Sequence, residues 1–219
     1  MAAVTPFEAP DIRGFLHRPD KAGERGMVLT HGAGSNCTTP LLVAVATAFC
    51  KAGLTVLRCD LAFRLRRPSG PPSPAQAATD RDGLRSAVIA LRDIVGGTVL
   101  LAGHSYGGRQ ASMLVAGEPD IAAALLLLSY PLHPPGKRAQ LRTQHFPGLR
   151  IPVVFVHGAA DPFANIEELH AAVAAIPGPA KVIPIEKAGH DLRRGNFDLA
   201  PVVEAMLKTH SRRRRPRSE

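Results

Sequence analysis

Six short apolar runs constrain this chain more than any other feature, because none is broken by regular polar alternation. They lie at Met27–Thr30, Leu54–Leu57, Thr98–Leu101, Ala124–Leu128, Val153–Val156 and Lys181–Ile185. Runs this short, rich in Leu and β-branched residues, suit strands buried on both faces of a parallel sheet. Between them lie helix-like stretches at Pro40–Lys51, Thr79–Val95, Tyr106–Ala116, Asn165–Ile176 and Ala200–Thr209. Gly53 follows the first and Gly96-Gly97 close the second, both good stop signals. Strand and helix alternating this often predict an α/β fold: a doubly wound, mostly parallel sheet with helices on both faces. Asp11–His17 is expected to add an antiparallel edge strand.

With 219 residues the chain fits one domain, assigned to residues 1–207, followed by a basic tail at 208–219. Of the net charge of +9, the segment Lys208–Glu219 holds +5, from one Lys, five Arg and one Glu. The basicity is therefore mostly a tail property, and the run Arg212–Arg215 reads as solvated and self-repelling. No specific nucleic-acid partner is expected on that ground, and few aromatics with no Trp argue against a stacking platform. The three cysteines, Cys37, Cys50 and Cys59, make no C-x-x-C pair and read as reduced thiols. Met1–Pro10 lacks the apolar core of a signal peptide, and Ile121–Leu128 is too short to span a bilayer. A soluble, cytoplasmic protein without a membrane partner is expected.

Two connections are long: Leu61–Ala78, Pro-rich with Arg64, Arg66 and Arg67, and Ser129–Arg150. Both follow strands, so both should emerge at the carboxyl edge of the sheet, where ligands bind in this architecture. Neither is long enough for a cap domain, so an open or shallowly lidded pocket is expected.

The chemistry is carried by Gly103-His104-Ser105-Tyr106-Gly107-Gly108, a G-x-S-x-G pattern between a strand and a helix. The glycines serve a tight turn in which side chains would collide, with Ser105 displayed as nucleophile. That turn aims the backbone N–H of Tyr106, at the helix start, toward a developing oxyanion. Thr30-His31-Gly32-Ala33-Gly34-Ser35 follows the first central strand, and Ala33 is the expected second oxyanion donor. The chain order of a serine triad then requires an acid and a later histidine. Asp161, in a turn past a buried strand, and His190, past the last strand, occupy those stations. Asp191 is too near in sequence to reach round to the His190 ring, and Glu186 is a weaker acid candidate. Because the base must come late, His31 reads as a brace for its loop through the ring nitrogens. His31, His104, Tyr130 and His133 are the expected substrate-pocket residues, His104, His133 and His157 having local packing as their other reading. Arg64, Arg66, Arg67, Arg109 and His133 suggest an anionic acyl group. No nucleotide cradle, no H-E-x-x-H and no paired Cys is present, so no cofactor and no metal is expected. Cys37 has no turn to display it and reads as a buried or semi-exposed thiol.

With these residues assembled, the chain resembles the α/β-hydrolase superfamily over nearly its full length. More narrowly, it resembles the dienelactone-hydrolase-related branch that includes testis-expressed protein 30 and the hydrolase-like domain of NSL-complex subunit 3. The matching segments are Leu29–Gly34, Leu57-Arg58, Gly103–Gly108, Leu128–His133, Val154–Asp161 and Ile185–His190. Ser129-Tyr130-Pro131-Leu132-His133 is the most informative branch marker. The resemblance implies a minimal α/β-hydrolase fold and a triad of Ser105, Asp161 and His190, but no substrate. True dienelactone hydrolases carry Cys at the elbow where Ser105 stands here. The expected function is cleavage of a small ester or thioester through an acyl-enzyme on Ser105. Two alternatives stay open: a non-catalytic interaction module, and an acyltransferase or perhydrolase using the same three residues.

Overall fold

The computed structural model describes residues 3–134, 136–193 and 197–211. Arg212–Arg215, the core of the expected tail, lie outside the described residues.

Among these residues a single eight-stranded sheet runs β1 (Ala3–Ala9), β2 (Ile12–Arg18), β4 (Thr55–Cys59), β3 (Arg25–Thr30), β5 (Thr98–His104), β6 (Leu125–Leu128), β7 (Val153–Gly158), β8 (Ala180–Ile185). From β4 to β8 every pairing is parallel, while β1 and β2 join antiparallel at one edge. The helices are α1 (Pro40–Lys51), α2 (Ala62–Arg66), α3 (Ala77–Val95), α4 (Tyr106–Gly117), α5 (Ile166–Val173) and α6 (Ala200–Ser211).

Period-two strand geometry explains why the apolar runs do not alternate. In β5, Val99 and Leu101 face a core built with Leu84 and Val88 of α3 and Leu114 of α4. Leu100 and Ala102 face the opposite core, built with Leu42, Val45 and Phe49 of α1 and Val202 of α6. Both faces are covered, so both registers of each central strand must be apolar.

All six predicted parallel strands and all five predicted helices are present, with shifted ends. α5 is shorter than expected. Asn165 caps it and closes a capping box with Glu168, and Pro177 lies just beyond its last turn. Two elements were not anticipated. β1 is mostly exposed and contains Pro6, so it carries no clear burial pattern; it is held by pairing with β2 and by Phe7 and Ala9, which pack against the core. α2 is a single short turn inside the 61–78 connection, anchored by buried Phe63.

After β3 the chain crosses to β4 on one side, and after α3 it returns to β5 on the other. The carboxyl ends of β3 and β5, paired as Thr30 with Gly103, thus flank a topological switch point. No helix among the described residues is long and apolar enough to cross a membrane.

Candidate active site

At the carboxyl end of β5 the chain turns into α4 through Ser105, whose φ of 51° and ψ of −117° are costly for a residue with a side chain. The turn closes because its neighbours have no Cβ. One at Gly103 would lie 2.5 Å from the Gly108 nitrogen, and one at Gly107 would lie 2.4 Å from the His31 carbonyl oxygen. Gly107 therefore lets the first turn of α4 rest directly on the loop after β3.

The Ser105 hydroxyl lies 2.8 Å from His190 Nε2, and His190 Nδ1 lies 2.8 Å from Asp161 Oδ2. A hydroxyl donating to Nε2 requires the proton on Nδ1, which donates to the carboxylate. The Asp161 side chain is fully buried, and its other oxygen accepts the Phe163 N–H at 2.9 Å. Neighbouring His157 is buried and its Nε2–H donates to the Ala164 carbonyl at 3.0 Å, 3.6 Å from Asp161 Oδ2. Burial holds the His157 pKa below the usual imidazole range. His190 is fixed from two further sides. His104 Nε2–H donates to the His190 carbonyl at 2.9 Å, and the Phe163 ring lies 4.3 Å from the imidazole, centre to centre. Burial pushes the His104 pKa down to about 4, so it stays neutral at pH 7 and keeps a fixed tautomer.

Opposite Ser105, the loop after β3 presents Ala33 to the cleft. The Ala33 N–H belongs to the same planar peptide as the Gly32 carbonyl and points the other way. That carbonyl accepts from His31 Nδ1 at 2.8 Å and from the Ser35 amide and hydroxyl, both at 3.2 Å. The peptide is thereby held in one orientation. The Tyr106 N–H starts α4 and is among the first-turn donors that have no partner within the helix. Ala33, Tyr106 and Ser105 all line one cleft.

A family model described as an alpha/beta hydrolase domain matches residues 23–204. The chain belongs to the alpha/beta hydrolase family. Solved structures agree on the fold. A dienelactone hydrolase from Anabaena variabilis is 22% identical, with 95% of each chain covered and a TM-score of 0.70. Est1E from Butyrivibrio proteoclasticus is 18% identical, covering 95% of this chain and 99% of its own, at 0.70. A Xanthomonas campestris a/b serine hydrolase described as lacking a lid is 17% identical, covering 100% and 97%, at 0.66.

In this alpha/beta hydrolase a cleft of about 680 Å³ opens beside Ser105. Its walls are Ala33, Ser105 and Tyr106 at one end, the Pro71–Pro74 segment on one side, and Arg109, Met113, Pro131, Arg142 and Phe163. Ser105, Arg109 and Met113 are four residues apart, so the cleft follows one face of α4.

The four residues expected to line the pocket do not. His31 is fully buried and spends both ring nitrogens on backbone, Nδ1 on Gly32 and Nε2 as acceptor for the Leu61 N–H at 3.0 Å. This is the loop brace that its place before the oxyanion loop suggested. His104 is turned toward the His190 carbonyl. Tyr130 is fully buried against Phe146 and Phe155, and its hydroxyl donates to the Arg142 carbonyl at 2.6 Å. His133 is buried, its Nδ1–H donating to Pro134. Arg64 is also misjudged as a substrate contact. It is buried, and its guanidinium donates to the carbonyls of Ser35, Arg67, Ala33 and Gly70. Arg67 donates to Pro71, and Arg66 faces a different depression beside Asp82. Of the expected basic contacts only Arg109 reaches the cleft.

Three contributors were missed: Arg142, Phe163 and Asp80. Asp80 is buried and accepts the Phe63 N–H at 2.9 Å and the Tyr106 hydroxyl at 2.7 Å, fixing the first residue of α4. Its signal in sequence was an acid in the first turn of a long helix, which reads equally well as ordinary helix-dipole compensation.

Proposed function

We propose that the protein is a serine hydrolase that cleaves a small ester or thioester through an acyl-enzyme on Ser105. The observation that carries this reading is the unbroken relay from Ser105 Oγ through His190 to buried Asp161, each link 2.8 Å long. As Ser105 Oγ bonds to the substrate carbonyl carbon, its proton passes to His190 Nε2 and the carbonyl π pair moves onto oxygen. The Tyr106 and Ala33 N–H groups receive that oxyanion. Its collapse breaks the bond to the leaving group, which takes the proton back from His190. Water then bonds to the acyl carbon as it gives a proton to the same nitrogen; the second oxyanion collapses, the bond to Ser105 Oγ breaks, Ser105 takes that proton back, and the acid leaves. Each oxyanion donor is worth on the order of 100- to 1,000-fold in turnover.

In this reading the hydrolase body, expected over residues 1–207, runs on with α6 to Ser211, the rest of the segment expected at 208–219 is a basic appendage, and the protein is cytoplasmic. The narrower kinship with testis-expressed protein 30 and NSL-complex subunit 3 rests on the Ser129–His133 stretch. The test is labelling by a fluorophosphonate probe beside a Ser105→Ala control. Labelling of the native chain that vanishes in the variant is expected. A folded native chain that stays unlabelled refutes the proposal.

A further inference from the structure

Arg109 and Arg142 are the charged residues of the cleft wall, and no carboxylate shares it. Arg109 is the more telling of the two. It stands one helical turn beyond Ser105, about 6 Å along the α4 axis. Its Nε is buried with no hydrogen-bond partner, and no ion pair to it is found among the described residues. Buried donors in folded proteins are almost always satisfied, and this orphan belongs to a residue that lines the cleft. Arg142 approaches from the 129–150 connection. Its backbone is held by Tyr130 and by the Leu132 carbonyl, while its guanidinium makes one long contact to the Pro131 carbonyl at 3.5 Å. Burial and the nearby Arg109 charge both hold its pKa below the usual arginine range. Two cations held close together, partly out of water, with no acid between them, form an electrostatic vacancy for an anion. Of the other basic residues of the long loops, Arg64 and Arg67 are spent on carbonyl groups, Arg138 lies 3.9 Å from a Glu168 carboxylate oxygen and Arg66 faces another depression, so none of these four lines the cleft with this pair.

We propose that this cleft selects substrates bearing an anionic oxygen group, a carboxylate or a phosphate, gripped by Arg109 and Arg142 one helical turn from the scissile bond. The proposal rests on the serine hydrolase reading for what happens to the bound molecule, but not for the binding itself. Calorimetric titration of the full chain carrying Ser105→Ala therefore tests it, with monomethyl glutarate, propyl phosphate and neutral dimethyl glutarate as probes. Hydrogen bonds to charged partners predict about 10- to 100-fold tighter binding of a charged probe than of the neutral one. The tighter of the two charged probes names the source of the anion. Adding Arg109→Gln or Arg142→Gln should abolish the preference. The Lys substitutions, which keep the charge but lose the fork, should retain part of it and show that the fold survives. Equal binding of charged and neutral probes, or a preference untouched by both Gln variants, overturns the proposal. The two readings fail separately. A native chain that labels with fluorophosphonate but ignores the anion keeps the hydrolase and loses the anion site. One that prefers the anion but never labels does the reverse.

Discussion

Arg64→Met is the perturbation that most directly tests how the site is held. The Arg64 guanidinium joins two segments that share no secondary structure: the Ala33 and Ser35 carbonyls of the loop carrying one oxyanion donor, and the Arg67 and Gly70 carbonyls leading into the Pro71–Pro74 wall. It also stacks over Phe63 with its centre 4.8 Å from the ring. Each bond from a charged donor is worth about 1.5–3 kcal/mol when removal leaves the acceptor unpaired. Loop carbonyls regain water once the clamp opens, so the net loss should be near 3–5 kcal/mol rather than the full total. For a chain of this length that lowers the melting midpoint by roughly 10 °C. Activity should fall further than stability explains. The Gly32–Ala33 peptide keeps its His31 and Ser35 contacts but loses the anchor one peptide further on, so the Ala33 N–H drifts from the oxyanion position. A misplaced donor costs at most what a deleted one does, so fluorophosphonate labelling well below the melting point should slow by about 10- to 100-fold. Arg64→Lys keeps a charge but cannot bridge four carbonyls, and should fall between the two. If Arg64→Met melts lower yet labels at the native rate, the clamp stabilises the fold and does nothing for the donor. If it both melts and labels like the native chain, the geometric argument is wrong.

Tyr130→Phe removes the hydroxyl that donates to the Arg142 carbonyl, and should cost about 1–2 kcal/mol in urea unfolding. It should also weaken the preference for charged over neutral glutarate esters with both arginines intact; an unchanged preference would show that Tyr130 does not set Arg142. Stability should fall with acid. Burial lowers His17, His104 and His145 to about 4, from an unfolded value near 6.5. The unfolded chain therefore binds more protons between those limits, so the stabilisation is complete above about pH 6.5 and is lost as pH drops toward 4. Each group contributes at most about 1.4 kcal/mol per pH unit before solvent screening. His104→Asn should flatten the slope of urea midpoint against pH, and an equal slope in that variant would contradict the assignment.

The fold was legible because burial on both sheet faces writes itself into composition: Leu125–Leu128 can be nothing but a central strand. The elbow was legible for the same kind of reason, since Gly103 and Gly107 are demanded by contacts of 2.4–2.5 Å that no side chain survives. Ser105, Asp161 and His190 could be chosen because strand ends deliver residues to a common edge, and chain order then limits which of them can meet. The pocket was a different problem. Histidines and a tyrosine next to the strand ends looked like ligand contacts, yet all four turn inward, because a polar tip beside a strand end finds unpaired carbonyls before it finds solvent. His31, Tyr130 and His133 each donate to a backbone oxygen. Sequence gives the proximity of such a residue to the edge but not the direction of its χ1, and here direction decided between scaffold and cleft.

The Ser129–His133 stretch shows what that scaffold does. Ser129 N–H donates to Val156 at the end of β7, and the His133 N–H donates to the Phe163 carbonyl at 3.3 Å. Phe163 in turn donates its N–H to Asp161 and lays its ring on His190. The same five residues fix Arg142 through the Tyr130 hydroxyl and through the Leu132 carbonyl, which accepts the Arg142 N–H at 2.8 Å. Pro131, between them, lines the cleft. One segment thus spans both ends of the site, holding the residue that covers the imidazole and the arginine assigned to the substrate anion. A stretch tied to two distant loops tolerates little substitution whatever the substrate, since losing Tyr130 frees Arg142 and moving His133 frees Phe163. Such a stretch is expected to stay constant wherever both sets of contacts are kept. It should travel with an arginine at the Arg142 position in proteins that share this cleft, and a relative keeping the five residues with no cation there would show that the stretch serves Phe163 alone.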